Sequence, residues 1–180
     1  MKQVYILLSR TKTIPSRVVH AIDGGKYSHV SIATTLDTDS FYSYARRDEH
    51  NFLIGGLVKE STRKGVFSHY PECFCALYSL EVDDKTYKKL CRLLNEYLKR
   101  YDLCKYSFFA ILPMMFGYKR DLKYKMTCSQ FVALLLYKSG AAKLPKHPSL
   151  MKPNDFLHIP NIKLLYNGTL GLCLFLKGKL

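Results

Sequence analysis

Three side chains in this sequence have the chemistry of a nucleophilic site: Cys128, His29 and Ser43. A cysteine attacks a carbonyl carbon as its thiolate, and a histidine within hydrogen-bond reach accepts the thiol proton. A third polar group commonly orients the imidazole. The chain offers one residue for each role, although 99 residues separate the histidine from the cysteine. The hypothesis of a thiol nucleophile therefore requires a fold that brings these residues together.

Residues 125–140 are predicted to form the helix that carries the cysteine. Thr127 suits an N-cap and Gly140 suits a stop. The i, i+3, i+4, i+7 spacing typical of a buried stripe is shared by Cys128, Phe131, Val132 and Leu135. The thiol would then point inward beside the positive end of a helix, where backbone N–H groups favour a thiolate and can stabilise an oxyanion. The alternative is an inert cysteine that fills the core.

The histidine falls in a predicted strand over 27–34, followed by a polar turn at 36–40 and a second strand over 41–46. Alternation places His29 on a strand face with small neighbours, Ser31 and Ala33, which leave room beside the imidazole. The same period of two places Ser43 on one face of the second strand. Both residues are thus predicted to lie on neighbouring strands of one sheet.

The order of a strand reading SHVSIA, a second strand with a polar position, and a distant helix reading TCSQFVALLL resembles the circularly permuted papain-like proteins. These form the permuted branch of the NlpC-type cysteine peptidase superfamily, which includes the lecithin retinol acyltransferase relatives. The resemblance covers roughly residues 1–140 and implies that Cys128 is the nucleophile and His29 the base. Its third position falls on Ser43, where members more often have His, Glu, Asn or Gln. Serine is shorter and uncharged, so Tyr44 or Glu60 is an alternative partner.

This resemblance implies a thiol hydrolase or acyltransferase that acts on an amide, ester or thioester carbonyl through an acyl-enzyme. Cell-wall peptide, lipid acyl chain and protein isopeptide all remain open as substrates. The alternative is a catalytically weak or inactive papain-like module whose basic surface holds an anionic partner. The formal net charge of +14 favours attraction to polyanions, but no nucleic-acid-binding motif accompanies it.

The sequence predicts a single α+β domain over residues 1–180, in which a mixed or antiparallel sheet packs against the cysteine-bearing helix. The segment 47–71 is either a lid or substrate-binding loop, or it contains a strand near 56–60. The other predicted strands are 3–9, 74–82, 162–166 and 170–176, and the other predicted helices are 15–22, 84–101 and 106–116.

Six cysteines include one C-x-C and no C-x-x-C, and the six histidines supply no H-x-x-x-H. This spacing argues against a zinc site, and no cofactor is predicted. The apolar run at the N-terminus is too short for a signal peptide, and no stretch has the length of a membrane helix. We therefore expect free thiols and a cytoplasmic location.

Overall fold

A computed structural model describes residues 1–10, 24–36, 40–47, 55–60, 71–106, 116–120 and 123–173. Within these ranges the chain combines a large antiparallel sheet with a few helices, which is an α+β architecture. The strands are β1 (Lys2–Arg10), β2 (His29–Ala33), β3 (Phe41–Arg46), β4 (Gly55–Glu60), β5 (Phe74–Val82), β6 (Lys105–Tyr106), β7 (Lys125–Met126) and β8 (Lys163–Thr169). The helices are α1 (Asp84–Leu98), α2 (Cys128–Ser139) and α3 (Leu170–Cys173), with 3₁₀ turns at Tyr101–Leu103, Pro148–Leu150 and Pro153–His158.

Six strands form the main sheet in the order β4-β3-β2-β1-β5-β8, and each neighbouring pair is antiparallel. The long strands β1 and β5 pair along their whole length, from Lys2 opposite Val82 to Arg10 opposite Phe74. Strands β6 and β7 form a separate parallel pair that ends just before α2. The sheet therefore places β2, β3 and β4, which carry the predicted polar residues, side by side.

Helix α2 begins and ends where its sequence signals predict. The Thr127 hydroxyl accepts a hydrogen bond from the backbone N–H of Gln130, and the Gln130 side chain accepts one from the backbone N–H of Thr127. Gly140 closes the helix with a φ of 83°, the left-handed conformation that glycine adopts without strain. Almost every residue of α2 is buried, so the predicted stripe is wider than one helix face.

The sheet has an apolar cluster on each of its faces. Residues of β1 and β2 such as Ile6, Val30 and Ile32 join helix residues in the larger cluster. Leu7 and Ala33, the next residues after Ile6 and Ile32, lie in the second cluster with Leu170 of α3. This separation follows the period of two along each strand, and it places α1 and α2 on one face.

The structure confirms several predicted elements and corrects others. The strands 41–46 and 74–82 have the predicted bounds, and the strand near 56–60 exists as β4. The predicted strand 170–176 is wrong for its first residues, which form α3, because Leu170 and Gly171 donate their N–H groups to the carbonyls of Cys73 and Pro71. The predicted helix 15–22 and most of 106–116 and 47–71 lie outside the described residues. In the part of the chain described, no helix is long and apolar enough to cross a membrane.

Candidate active site

His29 is the first residue of β2 and lies opposite Ser9 of β1. Its Nε2 atom is 2.7 Å from Oε1 of Glu60, the last residue of β4. The two side chains are mostly enclosed, with 17% of His29 and 10% of Glu60 exposed to solvent. Since β3 lies between β2 and β4 in the sheet, this contact joins two strands that are not direct neighbours.

Cys128 is the first residue of α2, and only 6% of it is exposed. It is near enough to His29 to affect the imidazole both by charge and by a side-chain hydrogen bond. These two residues are far apart in the sequence, and the packing of α2 against β2 brings them close together in space. The thiol and the imidazole thus form a pair, with the Glu60 carboxylate on the same imidazole.

The charge state of His29 follows from these neighbours. Burial by itself lowers the pKa of a histidine, because it disfavours the imidazolium. For His29 the negative charge of Glu60, together with Cys128 and the hydrogen bonds to both, outweighs burial and raises the pKa well above the ordinary value of 6.5. His29 is therefore an imidazolium at neutral pH, and Glu60 holds it in that form.

The second oxygen of Glu60, Oε2, is buried and has no hydrogen-bond partner within the described ranges. The hydroxyls of Ser9 and Ser31 are also buried without a partner there. A buried carboxylate normally accepts several hydrogen bonds, whereas the one hydrogen bond described for Glu60 is accepted from His29. The His29 imidazolium is consequently the main stabilising contact of this carboxylate.

The hydrogen bonds that the structure describes for Ser43, the predicted orienting residue, go to the backbone. Its hydroxyl is fully buried and donates to the backbone carbonyl of Val30 at 2.9 Å, with a longer contact to the carbonyl of Tyr44. Of the two alternatives, Tyr44 packs its ring on Phe131 at 5.0 Å, and Glu60 is the residue that contacts His29.

Gln130, two residues after the cysteine, has a structural role. Besides the capping contacts with Thr127, its side-chain amide donates to the carbonyl of Ser149 at 2.8 Å. The first N–H groups of a helix have no acceptor within the helix. The N–H of Gln130 donates to the cap residue Thr127. The N–H groups of Cys128 and Ser129 lie in the first turn of α2 and have no acceptor within the helix.

Tyr106 is a neighbour of Cys128 that the sequence did not reveal, since its apolar surroundings indicated a helix. It lies in β6 opposite Met126, two residues before the cysteine. Burial, followed by the charge interaction with Cys128, raises the pKa of Tyr106 above its ordinary value. The phenol of Tyr106 is therefore neutral at neutral pH.

Cys128, His29, Glu60 and Tyr106 are the residues that the structure brings together at this site. Across the described ranges, no group of three or more His, Cys, Asp or Glu residues is arranged to hold a metal ion. In comparisons with known proteins, no family model matches this chain and no curated protein matches it significantly. The chemistry of the site therefore has to be argued from its own residues.

Proposed function

We propose that this chain is a thiol hydrolase or acyltransferase with a papain-like, circularly permuted arrangement, in which Cys128 is the nucleophile and His29 the general base. Glu60 orients the imidazole and stabilises its positive charge. The observation that carries the proposal is the chain of contacts from Glu60 through His29 to Cys128, at the start of a buried helix. A thiol, an imidazole and a carboxylate in this order match the three roles of a cysteine nucleophile site.

The thiol proton resides on the imidazole in the resting site, so that the reactive state is a pair of imidazolium and thiolate. Because Nε2 of His29 donates to Glu60, Nδ1 is the ring nitrogen that takes the proton of Cys128. The raised pKa of His29 favours the resulting pair of imidazolium and thiolate. The open end of α2 adds the positive field of a helix N-terminus to the sulfur.

Acyl transfer then proceeds through a tetrahedral intermediate. The thiolate forms a bond to the substrate carbonyl carbon, and the carbonyl oxygen takes up the negative charge. The backbone N–H groups of Cys128 and Ser129 are placed to donate to this oxyanion, an effect worth about 3 kcal/mol per donor in related chemistry. His29 returns its proton to the leaving group, whose bond to the carbon breaks, and water or another acceptor later cleaves the thioester.

A buried charged pair is a costly way to stabilise a fold, and this favours a catalytic role over a structural one. Replacing such a pair with apolar residues is often neutral or stabilising, and perturbed pKa values cluster at functional sites. The His29–Glu60 pair combines burial, a short contact and a raised histidine pKa beside a thiol. Simple core packing would require none of these features.

The competing function is a non-catalytic module that holds an anionic partner. Its support is the excess of basic residues together with Lys105 and Lys125, which are exposed and lie opposite each other in the parallel pair of β6 and β7. Adjacent lysines raise the local positive potential near the start of α2. Binding of heparin that weakens steeply with added salt, combined with an unreactive Cys128, would favour this function.

The two functions differ in the reactivity of one thiol. The folded protein would be treated with limiting iodoacetamide at about pH 6.5, and mass spectrometry would give the labelling rate of each of the six cysteines. We expect Cys128 to react fastest, His29→Ala to slow it, and His158→Ala, at an exposed histidine, to leave it unchanged. Equal and slow labelling of all six thiols would overturn the proposal.

A second measurement addresses the acyl-enzyme. p-Nitrophenyl acetate should release one equivalent of nitrophenol in a burst and leave one acetyl group on Cys128, identified by peptide mass spectrometry. Cys128→Ser should remove both the burst and the adduct. A burst that persists in Cys128→Ser would assign the reaction to another residue.

A further inference from the structure

The backbone just before His29 is held by a side chain from the far end of the chain. Tyr27 lies two residues before the start of β2, outside the ladder of strand hydrogen bonds, so its backbone groups need other partners. The side chain of Asn154 supplies both. Its Oδ1 accepts from the N–H of Tyr27 at 2.9 Å, and its Nδ2 donates to the carbonyl of Tyr27 at 2.8 Å.

The side-chain amide of Asn154 occupies the space that a side chain at Gly25 would fill. A Cβ atom at position 25 would overlap the side-chain amide of Asn154. The φ of Gly25 is not positive, so the glycine is required for space and not for its backbone conformation. The pairing of Asn154 with the chain before β2 is thus close-packed as well as hydrogen-bonded.

The turn that carries Asn154 is itself fixed. Asn154 lies in the 3₁₀ turn Pro153–His158, and the carboxylate of Asp155 accepts from the backbone N–H of Lys152 at 2.8 Å. The other oxygen of Asp155 accepts from Lys146 at 2.7 Å. The turn that carries the Asn154 amide is thus held by two hydrogen bonds of Asp155. The position of the amide in turn restricts the backbone of Tyr27.

The remaining link from Tyr27 to His29 is short. The N–H of Ser28 donates to the carbonyl of Ser9 at 3.0 Å, and His29 lies opposite Ser9 in the ladder. The ring of Tyr27 stacks on Phe74, with centroids 6.1 Å apart. Asn154 therefore connects Tyr27, two residues before His29, to the part of the chain that follows α2.

We propose that Asn154 is a positioning residue that sets where the His29 imidazole lies relative to Glu60 and Cys128. Without the amide, the backbone N–H and carbonyl of Tyr27 would lose these two hydrogen bonds. The segment that leads into β2 would then be less restricted in its conformation. The His29 ring would then sample positions away from Glu60, because a contact of 2.7 Å tolerates little displacement. The inference rests on the proposed function for its effect on reactivity, but the position of His29 can be measured independently.

The experiment is an NMR titration of the six histidines in the full chain, with the His29 signal assigned by its loss in His29→Gln. Asn154→Ala should lower the pKa of His29 by about one unit or more and slow alkylation of Cys128 by about tenfold. Asn95→Ala, which removes the same amide from an exposed position on α1, should change neither. A folded Asn154→Ala protein with an unchanged His29 titration would overturn the inference.

Gly25→Ala provides a second approach to the same contact and decides the matter if Asn154→Ala does not fold. The added methyl group should displace the amide and shift the His29 titration in the same direction. In the double variant the methyl group meets the space that Asn154→Ala has opened, so the two effects should not add. Full additivity would show that Gly25 and Asn154 act separately and would contradict the inference.

These readouts separate the two proposals. If Cys128 of the wild-type protein is no more reactive than the other thiols, the proposed function fails. The NMR titration of Asn154→Ala still reports whether Asn154 positions His29. If Cys128 is reactive and the titration and alkylation rate are unaffected by Asn154→Ala, only the positioning role fails.

Discussion

Oε1 of Glu60 lies 2.7 Å from Nε2 of His29, and this contact spans from β4 to β2 across the intervening strand. In the proposed mechanism this contact occupies Nε2 of the imidazole, and Nδ1 exchanges the proton with Cys128. One buried carboxylate thereby fixes both the orientation and the charge of the histidine.

The pH dependence of stability should report this contact. The folded-state pKa of His29 is raised above 6.5, so its contribution to stability is fully present below that pH and is lost as pH rises through the folded pKa. Urea unfolding of the wild type and of Glu60→Gln should therefore differ most at about pH 6 and progressively less toward pH 10. A gap that widens with pH would contradict the assigned charges.

The control for that experiment is Lys146→Met, which breaks another ion pair of 2.7 Å. Because 48% of the Lys146 side chain is exposed, the loss should be small, within about 1 kcal/mol. The pair contains no histidine, so the loss should lack the decrease toward high pH that is expected for Glu60→Gln.

Glu60→Gln should mainly slow the alkylation of Cys128, whereas Ser43→Ala should mainly lower the free energy of unfolding. Glu60→Gln removes the charge that holds the imidazolium, so alkylation of Cys128 near pH 6.5 should slow by about tenfold or more. Ser43→Ala should leave that rate nearly unchanged but lower the free energy of unfolding by about 1–2 kcal/mol, because the carbonyl of Val30 loses a buried donor. Alkylation rates and urea unfolding of the two variants measure this contrast.

The parts of the site that the sequence predicted depend on local signals. Thr127 and Gly140 cap α2 through residues within four positions of them, and period-two alternation identified β2 and β3. Such features need no knowledge of the tertiary fold, because helix caps and strand faces are set by neighbouring residues. His29 and Cys128 were found for the same reason, each from its own element.

The partners of His29 depend on contacts between distant parts of the chain, and the sequence could not rank them. Ser43 and Glu60 were both candidates, and the structure describes a contact with His29 for Glu60. Asn154 gave no local signal, because its amide acts on backbone 127 residues away. Tyr106 was assigned to a helix by its apolar neighbours, whereas β6 forms by pairing with β7.

Cys173 should react with iodoacetamide faster than Cys75. A hydrogen bond from Cys75 lowers the pKa of Cys173, while the same contact, with burial, raises the pKa of Cys75. Cys75→Ala should therefore slow the labelling of Cys173 and leave Cys128 unaffected, as measured by the same peptide mass spectrometry. If Cys128 slowed in parallel, the two thiol sites would have to be coupled.

Gly56→Ala should disturb the site by displacing β4, the strand that contains Gly56 and Glu60. A Cβ at position 56 would overlap the backbone carbonyl of Cys104, which cannot rotate away, so β4 must shift from the segment leading into β6. We expect a loss of about 1–3 kcal/mol in unfolding free energy.

The same shift should slow the alkylation of Cys128, because the displaced strand carries Glu60 at its end. Gly168→Ala is the matched control, since its Cβ would meet only the end of the Tyr166 side chain, which can move. It should cost less stability and leave the thiol unchanged. An equal effect of both variants on Cys128 would show that the position of β4 does not control the site.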